Sequence, residues 1–401
     1  MTSKRIAILI RVALVGTLLY VLAAGTPQIR EALTHRDFIQ YWAAAKLLLH
    51  RTNPYDPDAE IQLQRSQGLP TTKALIIRLP PWSLPMMLPL GVVGFYPAWV
   101  LWMTLLVAAL LTSIRLCWRM FSRDDTRWLR SRVFLAGYVF APVLACLVAG
   151  QIGLFLLLGV VLFLHFEKSR PLLAGFALLL PLAKPHLLVL FWCVLACWML
   201  VERRWRILAG LLAALTVATG VAVALDPGVF AHYSAHALSN AAIQTEFIPA
   251  LAGVLRLLFL RQAFWAQFIP LAIGLIWSVW FYAVNRQRWN WRDHGMAVMV
   301  VSVLTTPYGW LTDEVILMPV ILQAAIFVMA NGQRNRLWPI ILFAGLNGLL
   351  LMMIVFQVPF ASGMYFWSSV VWFGWYYYGR TRRAQRETRS SVADITPLRA
   401  G

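Results

Sequence analysis

A chain of 401 residues in which AVILMFWYC make up 60% and charged residues 13% carries more apolar side chain than a soluble core of that size can use. The formal net charge of +19 does not point to nucleic acid, because the dense basic runs (115–132, 203–206, 286–292 and 380–389) are short and lie between apolar segments. With a mean hydropathy of +0.69 and 19 Trp for the interfacial belts, composition leaves an all-α polytopic membrane protein.

The first apolar run, 6–24, follows Lys4 and Arg5 and holds Arg11 near its start, where the side chain can snorkel. It reads as an uncleaved span, with a cleaved signal peptide as the alternative, and either leaves residue 25 outside. Further spans are expected at 95–117, 133–149, 152–166, 172–183, 186–201, 207–225, 264–285, 294–311, 314–330, 337–356 and 363–379. That is about 12 transmembrane helices, each crossing needing ~20 apolar residues. Pro181 and Pro185 mark a candidate broken pair, tolerated where protein or a water-filled cavity surrounds the break. The stretch 81–93, interrupted by Pro85 and Pro89, is too short to cross and reads as re-entrant.

Of the 35 Lys/Arg, 24 fall in segments that then face the cytoplasm and 10 in segments that face outward. This bias orients both termini inside and leaves long outside loops near 25–80 and 226–263. Residues 1–380 form a single transmembrane domain, and 381–401 a basic cytoplasmic tail expected to be disordered. Cys117, Cys146, Cys193 and Cys197 lie in apolar segments and read as small packing residues.

The outward segments collect the polar groups that topology does not explain. Phe38, Tyr41, Trp42, Ala45 and Leu49 recur at helical spacing, the pattern of an amphipathic helix lying in the interface. Asp37 at its start is either a helix cap or a general base held at the membrane surface. A lysine between apolar segments is costly unless it meets an anion, a cavity or the interface. Lys184 therefore binds a phosphate together with Arg78, or it snorkels to the headgroups. Gln151, after Gly150, serves a site or pairs with freed backbone groups. Asp313 and Glu314, in a very short hairpin, line a site or mark a solvent-exposed turn.

These pieces, in this order, resemble glycosyltransferase family 87. The resemblance is carried by Asp37-Phe38 with Tyr41-Trp42, Asn53-Pro54-Tyr55-Asp56, Pro80-Pro81, Gly150-Gln151, Lys184-Pro185, and Thr306-Pro307 with Trp310 and Asp313. It spans about residues 30–330 and includes the polyprenol-phosphate-mannose-dependent mannosyltransferases of the DUF2029 group. It implies a GT-C fold and an active site on the non-cytoplasmic side of a bacterial inner membrane, serving the cell envelope. The implied donor is a polyprenyl-phosphate sugar, mannose first, and the acceptor an unknown lipid or glycan. Asp37 matches the family's catalytic base, and Arg78 and Lys184 become donor-phosphate ligands. Tyr41, Tyr55, Gln151, His186, Tyr308, Trp310 and Asp313 become substrate-binding candidates. Thr312 stands where members often carry His, a place that His186 would have to cover.

A lipid-linked donor keeps its chain in the bilayer and its phosphate at the interface. Its site should combine an acid, a cation or two and an apolar groove. One displacement with inversion needs one base and no second catalytic acid. No clear DxD-type metal site stands out, so no obligatory metal or other cofactor is expected. The rival expectation is a twelve-span transporter or flippase without bond chemistry, against which stand the long first loop and the lack of visible internal symmetry.

Overall fold

The computed structural model describes residues 36–68, 73–122, 126–239, 248, 250–259, 263–330, 337–359 and 363–395, and every regular element among them is helical. The expected first span at 6–24 lies outside these residues.

Helix α1 (Phe38–Leu49) leads into α2 (Pro57–Ser66), whose start is built by the Asn-Pro-Tyr-Asp turn. Asn53 Oδ1 accepts the Tyr55 N–H, and Asp56 Oδ1 caps α2 by accepting the Asp58 N–H, each at 2.9 Å. A 3-10 segment, Pro81–Met87, then runs into the short α3 (Leu88–Val92), because prolines cannot supply the bonds of a longer helix.

The bundle that follows comprises α4 (Phe95–Phe121), α5 (Arg127–Tyr138), α6 (Ala141–Ala149), α7 (Gly153–Phe166), α8 (Pro171–Ala177), α9 (Val189–Val201) and α10 (Trp205–Leu225). It continues with α11 (Val229–Ser239), α12 (Leu251–Phe259), α13 (Ile269–Asn285), α14 (His294–Thr305), α15 (Met318–Ala330), α16 (Leu337–Val355) and α17 (Ser368–Ile395). The stretch expected as a long loop, 226–263, thus contains α11 and α12.

Four helices are long and apolar enough to cross a bilayer: Phe95–Phe121, Trp205–Leu225, Phe264–Arg288 and Trp338–Val355. Two bent pairs, Arg127–Tyr138 with Ala141–Ala149 (43°) and Pro171–Ala183 with Pro185–Val201 (114°), raise the number to six if each is one span. The expected dozen is not reached among the described residues. Helices α7, α14 and α15 have 14, 12 and 13 residues, roughly 20 Å of helix against the ~30 Å of a hydrocarbon core. The runs 172–183 and 186–201 are the two arms of the sharper bend. Apolar letters alone do not show where a helix breaks.

One further expectation is corrected. Helix α1 does not lie on an interface: Phe38, Ile39, Tyr41, Trp42, Ala43, Ala44, Ala45, Leu47 and Leu48 are all buried. Gly91 of α3 packs directly on its backbone, where a Cβ would stand 2.7 Å from the Ala45 carbonyl carbon. Helix α17 runs on into the basic stretch, to Ile395. Extending an anchored helix needs no new nucleus, and Arg, Ala, Gln and Glu are good helix formers.

Helices α8 and α10 cross at two glycines. A Cβ on Gly175 would stand 2.0 Å from the Ile207 carbonyl oxygen, and one on Gly210 2.2 Å from that of Leu172. This small-residue contact fixes one arm of the 114° bend, and hence Lys184 at its apex, against α10. Ile273, Ile276 and Val217 point outward at 63%, 74% and 65% exposure, the apolar belt a bilayer would cover.

Candidate active site

Four chain segments meet at the breaks between helices: the start of α1, the α6–α7 turn, the 183–185 break and the turn between α14 and α15. The α6–α7 turn explains how. Gly150 ends α6 with φ +68, and a Cβ there would stand 2.9 Å from the Phe38 Cβ. Only glycine takes this left-handed step while letting α1 approach so closely. Trp102 Nε1 donates to the Gly150 carbonyl at 2.8 Å and locks the turn. Gln151 is thereby aimed at Asp37.

Asp37 makes no capping bond to its own helix. Its Oδ2 instead accepts the Gln151 amide N–H at 2.5 Å. The Gln151 carbonyl oxygen accepts from the Tyr41 hydroxyl at 3.0 Å and from Lys184 Nζ at 3.1 Å. Lys184 Nζ also donates to Asp313 Oδ1 at 2.7 Å, an ion pair with side chains 10% and 2% exposed. Asp313 Oδ2 accepts the Trp310 N–H at 3.1 Å. Lys184 does not snorkel, and Asp313 does not mark an exposed turn. Gln151 binds side chains, and none of its side-chain bonds goes to backbone. Burial raises the pKa of Asp37 above its ordinary range; the Gln151 hydrogen bond and the Lys184 charge oppose this, and Asp313 reinforces it.

A second group gathers around Tyr308. Its hydroxyl accepts from Arg78 Nη1 at 2.9 Å, and its ring meets His186 and Trp310 edge to face, each at 5.6 Å between centroids. Thr306 Oγ1 lies 2.9 Å from both the His186 and the Tyr308 carbonyl oxygens, joining the two turns. His186 Nε2 is buried with no hydrogen-bond partner. Thr312, in the place where the family resemblance leads one to look for His, is buried at 2% exposure. Among the described residues, no three His, Cys, Asp or Glu side chains cluster as metal ligands do.

Tyr55 is held apart from the acid cluster. Its hydroxyl donates to the Leu79 carbonyl at 2.8 Å, so it steadies the segment that carries Arg78. Tyr233 and His236 of α11 pack on its ring, and Phe230 packs on Trp82. Sequence reasoning assigned α11 no role, although Phe230, Tyr233 and His236 recur three residues apart on one helical face. Trp82 borders a groove of about 340 Å³ lined by Met86, Phe176, Leu180, Val217 and Val221 among others. Its indole N–H donates to the Leu182 carbonyl at 3.1 Å, two residues from Lys184, so groove and ion pair share a wall.

The model of glycosyltransferase family 87 matches residues 79–307, more than half of the chain. The chain belongs to glycosyltransferase family 87. The family 87 match takes in Gln151, Lys184, His186 and Thr306, while Asp37 and Asp313 lie beyond it and are bonded to residues within it. No curated protein and no solved structure matches the chain.

Proposed function

We propose that this glycosyltransferase moves a sugar, mannose first, from a polyprenyl phosphate to an acceptor hydroxyl on the non-cytoplasmic face of the membrane, with inversion. The observation that carries this reading is the state of Asp37: a half-buried carboxylate, unused as a cap, held by Gln151 inside a network that ends on Lys184 and Asp313.

In the proposed reaction Asp37 takes the proton of the acceptor hydroxyl, whose oxygen bonds to the anomeric carbon. The bond from that carbon to the phosphate oxygen breaks on the opposite side, and its electron pair stays on the polyprenyl phosphate. Gln151 occupies Oδ2 and leaves Oδ1 for the hydroxyl. Lys184 gives two bonds to protein, and an ammonium has three, so the third serves a phosphate oxygen. Arg78, exposed at the rim, meets the same phosphate, and His186 Nε2 supplies a further contact where Thr312 cannot. These groups offset charge that grows as the phosphate departs. The apolar groove beside Trp82 suits the isoprenoid chain. Asp37, Gln151, Lys184 and Asp313 all lie on segments that the charge bias assigns outside, and their meeting supports a single outward-facing site.

The test is transfer by purified protein in detergent, supplied with polyprenyl-phosphate mannose and a membrane lipid extract. A mannosylated product is expected. Transfer from a nucleotide sugar, with none from any polyprenyl phosphate, would overturn the donor assignment; a carrier has no gradient in detergent and would yield no product from either.

A further inference from the structure

Directly after Asp313 stands a second buried carboxyl that the proposed reaction does not use. We infer that Glu314 is held in the fold as a neutral carboxylic acid, donating a hydrogen bond that fastens the Asp313 turn to the C-terminal helix, and that it is a positioning residue for the chain Asp313–Lys184–Gln151–Asp37.

Proton accounting carries the inference. Glu314 is 4% exposed; its Oε1 lies 2.6 Å from Ser368 Oγ and its Oε2 accepts Trp372 Nε1–H at 2.9 Å. Ser368 Oγ also lies 2.8 Å from the Tyr365 carbonyl oxygen. A hydroxyl owns one proton. Were Glu314 ionised, Ser368 would bring one proton to two oxygens, and one of these two close O···O contacts would hold none. With the proton on Glu314, every bond closes: Glu314 O–H to Ser368 Oγ, Ser368 O–H to the Tyr365 carbonyl, and Trp372 N–H to Glu314 Oε2. Two buried oxygens pressed together with no proton between them repel, so the arrangement with a proton in each contact is favoured.

The surroundings agree. Trp372 is itself packed edge-on against Phe140 at 5.1 Å, with Phe343 at 6.2 Å, and is fully buried. Among the described residues the charged side chain that bears on Glu314 is Asp313, of like sign, and adjacent carboxyls resist ionising together. Asp313, unlike Glu314, is answered by a cation, Lys184, and by the Trp310 N–H. Both residues begin the 3-10 segment Asp313–Leu317, so a shift of Glu314 carries Asp313 with it.

Infrared difference spectroscopy on the purified full chain at neutral pH, parent against Glu314→Gln, reads the proton directly. The carbonyl stretch of a protonated carboxylic acid should be present in the parent and absent from the variant. Gln can donate to Ser368 Oγ and accept from Trp372, so transfer should stay within about three-fold of the parent. Glu314→Leu can do neither, and its kcat should fall about ten-fold with the donor KM nearly unchanged. A parent lacking that band, or a Gln variant that is unfolded or as impaired as Leu, would overturn the inference. Should Leu fail to fold, the infrared and Gln results still decide. The transfer readout rests on the proposed reaction; if the parent transfers nothing, that reading fails and the infrared result alone judges Glu314.

Discussion

The two halves of the candidate site are held in different ways. Asp37, Gln151, Lys184 and Asp313 come from four separate segments, and each fixes the next through its side chain. Arg78, by contrast, is exposed on an irregular stretch that is secured through backbone: Gln64 bonds both the N–H and the carbonyl of Leu75, and Tyr55 takes the Leu79 carbonyl. The first half, in the proposed reaction, moves a proton and a charge between groups already fixed in place. The second is an arm whose Arg78 bonds the Tyr308 hydroxyl and, in the proposed reaction, meets the donor phosphate. Damage to the buried half should therefore strike folding and turnover together, and damage to the arm should strike donor affinity.

The largest effect is expected from Lys184→Gln. It leaves Asp313 buried without its cation, and breaking a buried pair costs about 3–5 kcal/mol. Thermal or denaturant unfolding should show a loss of that order, with transfer lost too. Lys184→Arg should not restore the parent, because the guanidinium is a planar fork where an ammonium now bridges two oxygens. A Lys184→Gln variant of parental stability would show that the pair holds nothing together.

Arg78→Gln should be milder and different in kind. Donor affinity should fall about ten-fold, the low end for a charge-assisted contact, because Arg78 is exposed and screened. Turnover at saturating donor should stay close to the parent's. A drop in kcat with donor affinity unchanged would place Arg78 in the buried half after all.

The pH response is the smallest and most specific signal. Asp37 must be ionised to accept a proton, and burial raises its pKa. The rate kcat/KM should therefore hold at neutral pH and fall as pH drops through a midpoint above the ordinary carboxylate range. A pH–rate profile with no such limb, or one at an unperturbed carboxylate value, would contradict a half-buried base.

Much of this was legible one residue at a time and little of it as pairs. Asp37, Gln151, Lys184 and Asp313 each stand out as polar groups between apolar runs. The bonds between them join positions up to 129 residues apart, a separation at which helical periodicity carries no information. Glu314 was seen as half of an acidic turn, while its partners Ser368 and Trp372 lie in a helix that composition treats as a last span. The helical class was plain, but the number of crossings was not. Where nearly every residue is apolar, the hydrophobic pattern loses its period, and helix ends must be set by proline, glycine and tertiary contact. Helix α1 misled for a related reason: the stripe of Phe38, Tyr41, Trp42, Ala45 and Leu49 suggested one covered face, but Ile39, Ala43 and Ala44 off that stripe are buried too.

The most direct test of the account is Asp37→Asn, measured for donor binding and for transfer in the same preparation. Asn fills the same space and caps a helix about as well as Asp, but it cannot take a proton. The account predicts near-parental folding and donor binding, with transfer reduced by ~100-fold or more, the scale of a lost general base. Transfer in the Asn variant close to that of the parent would contradict it.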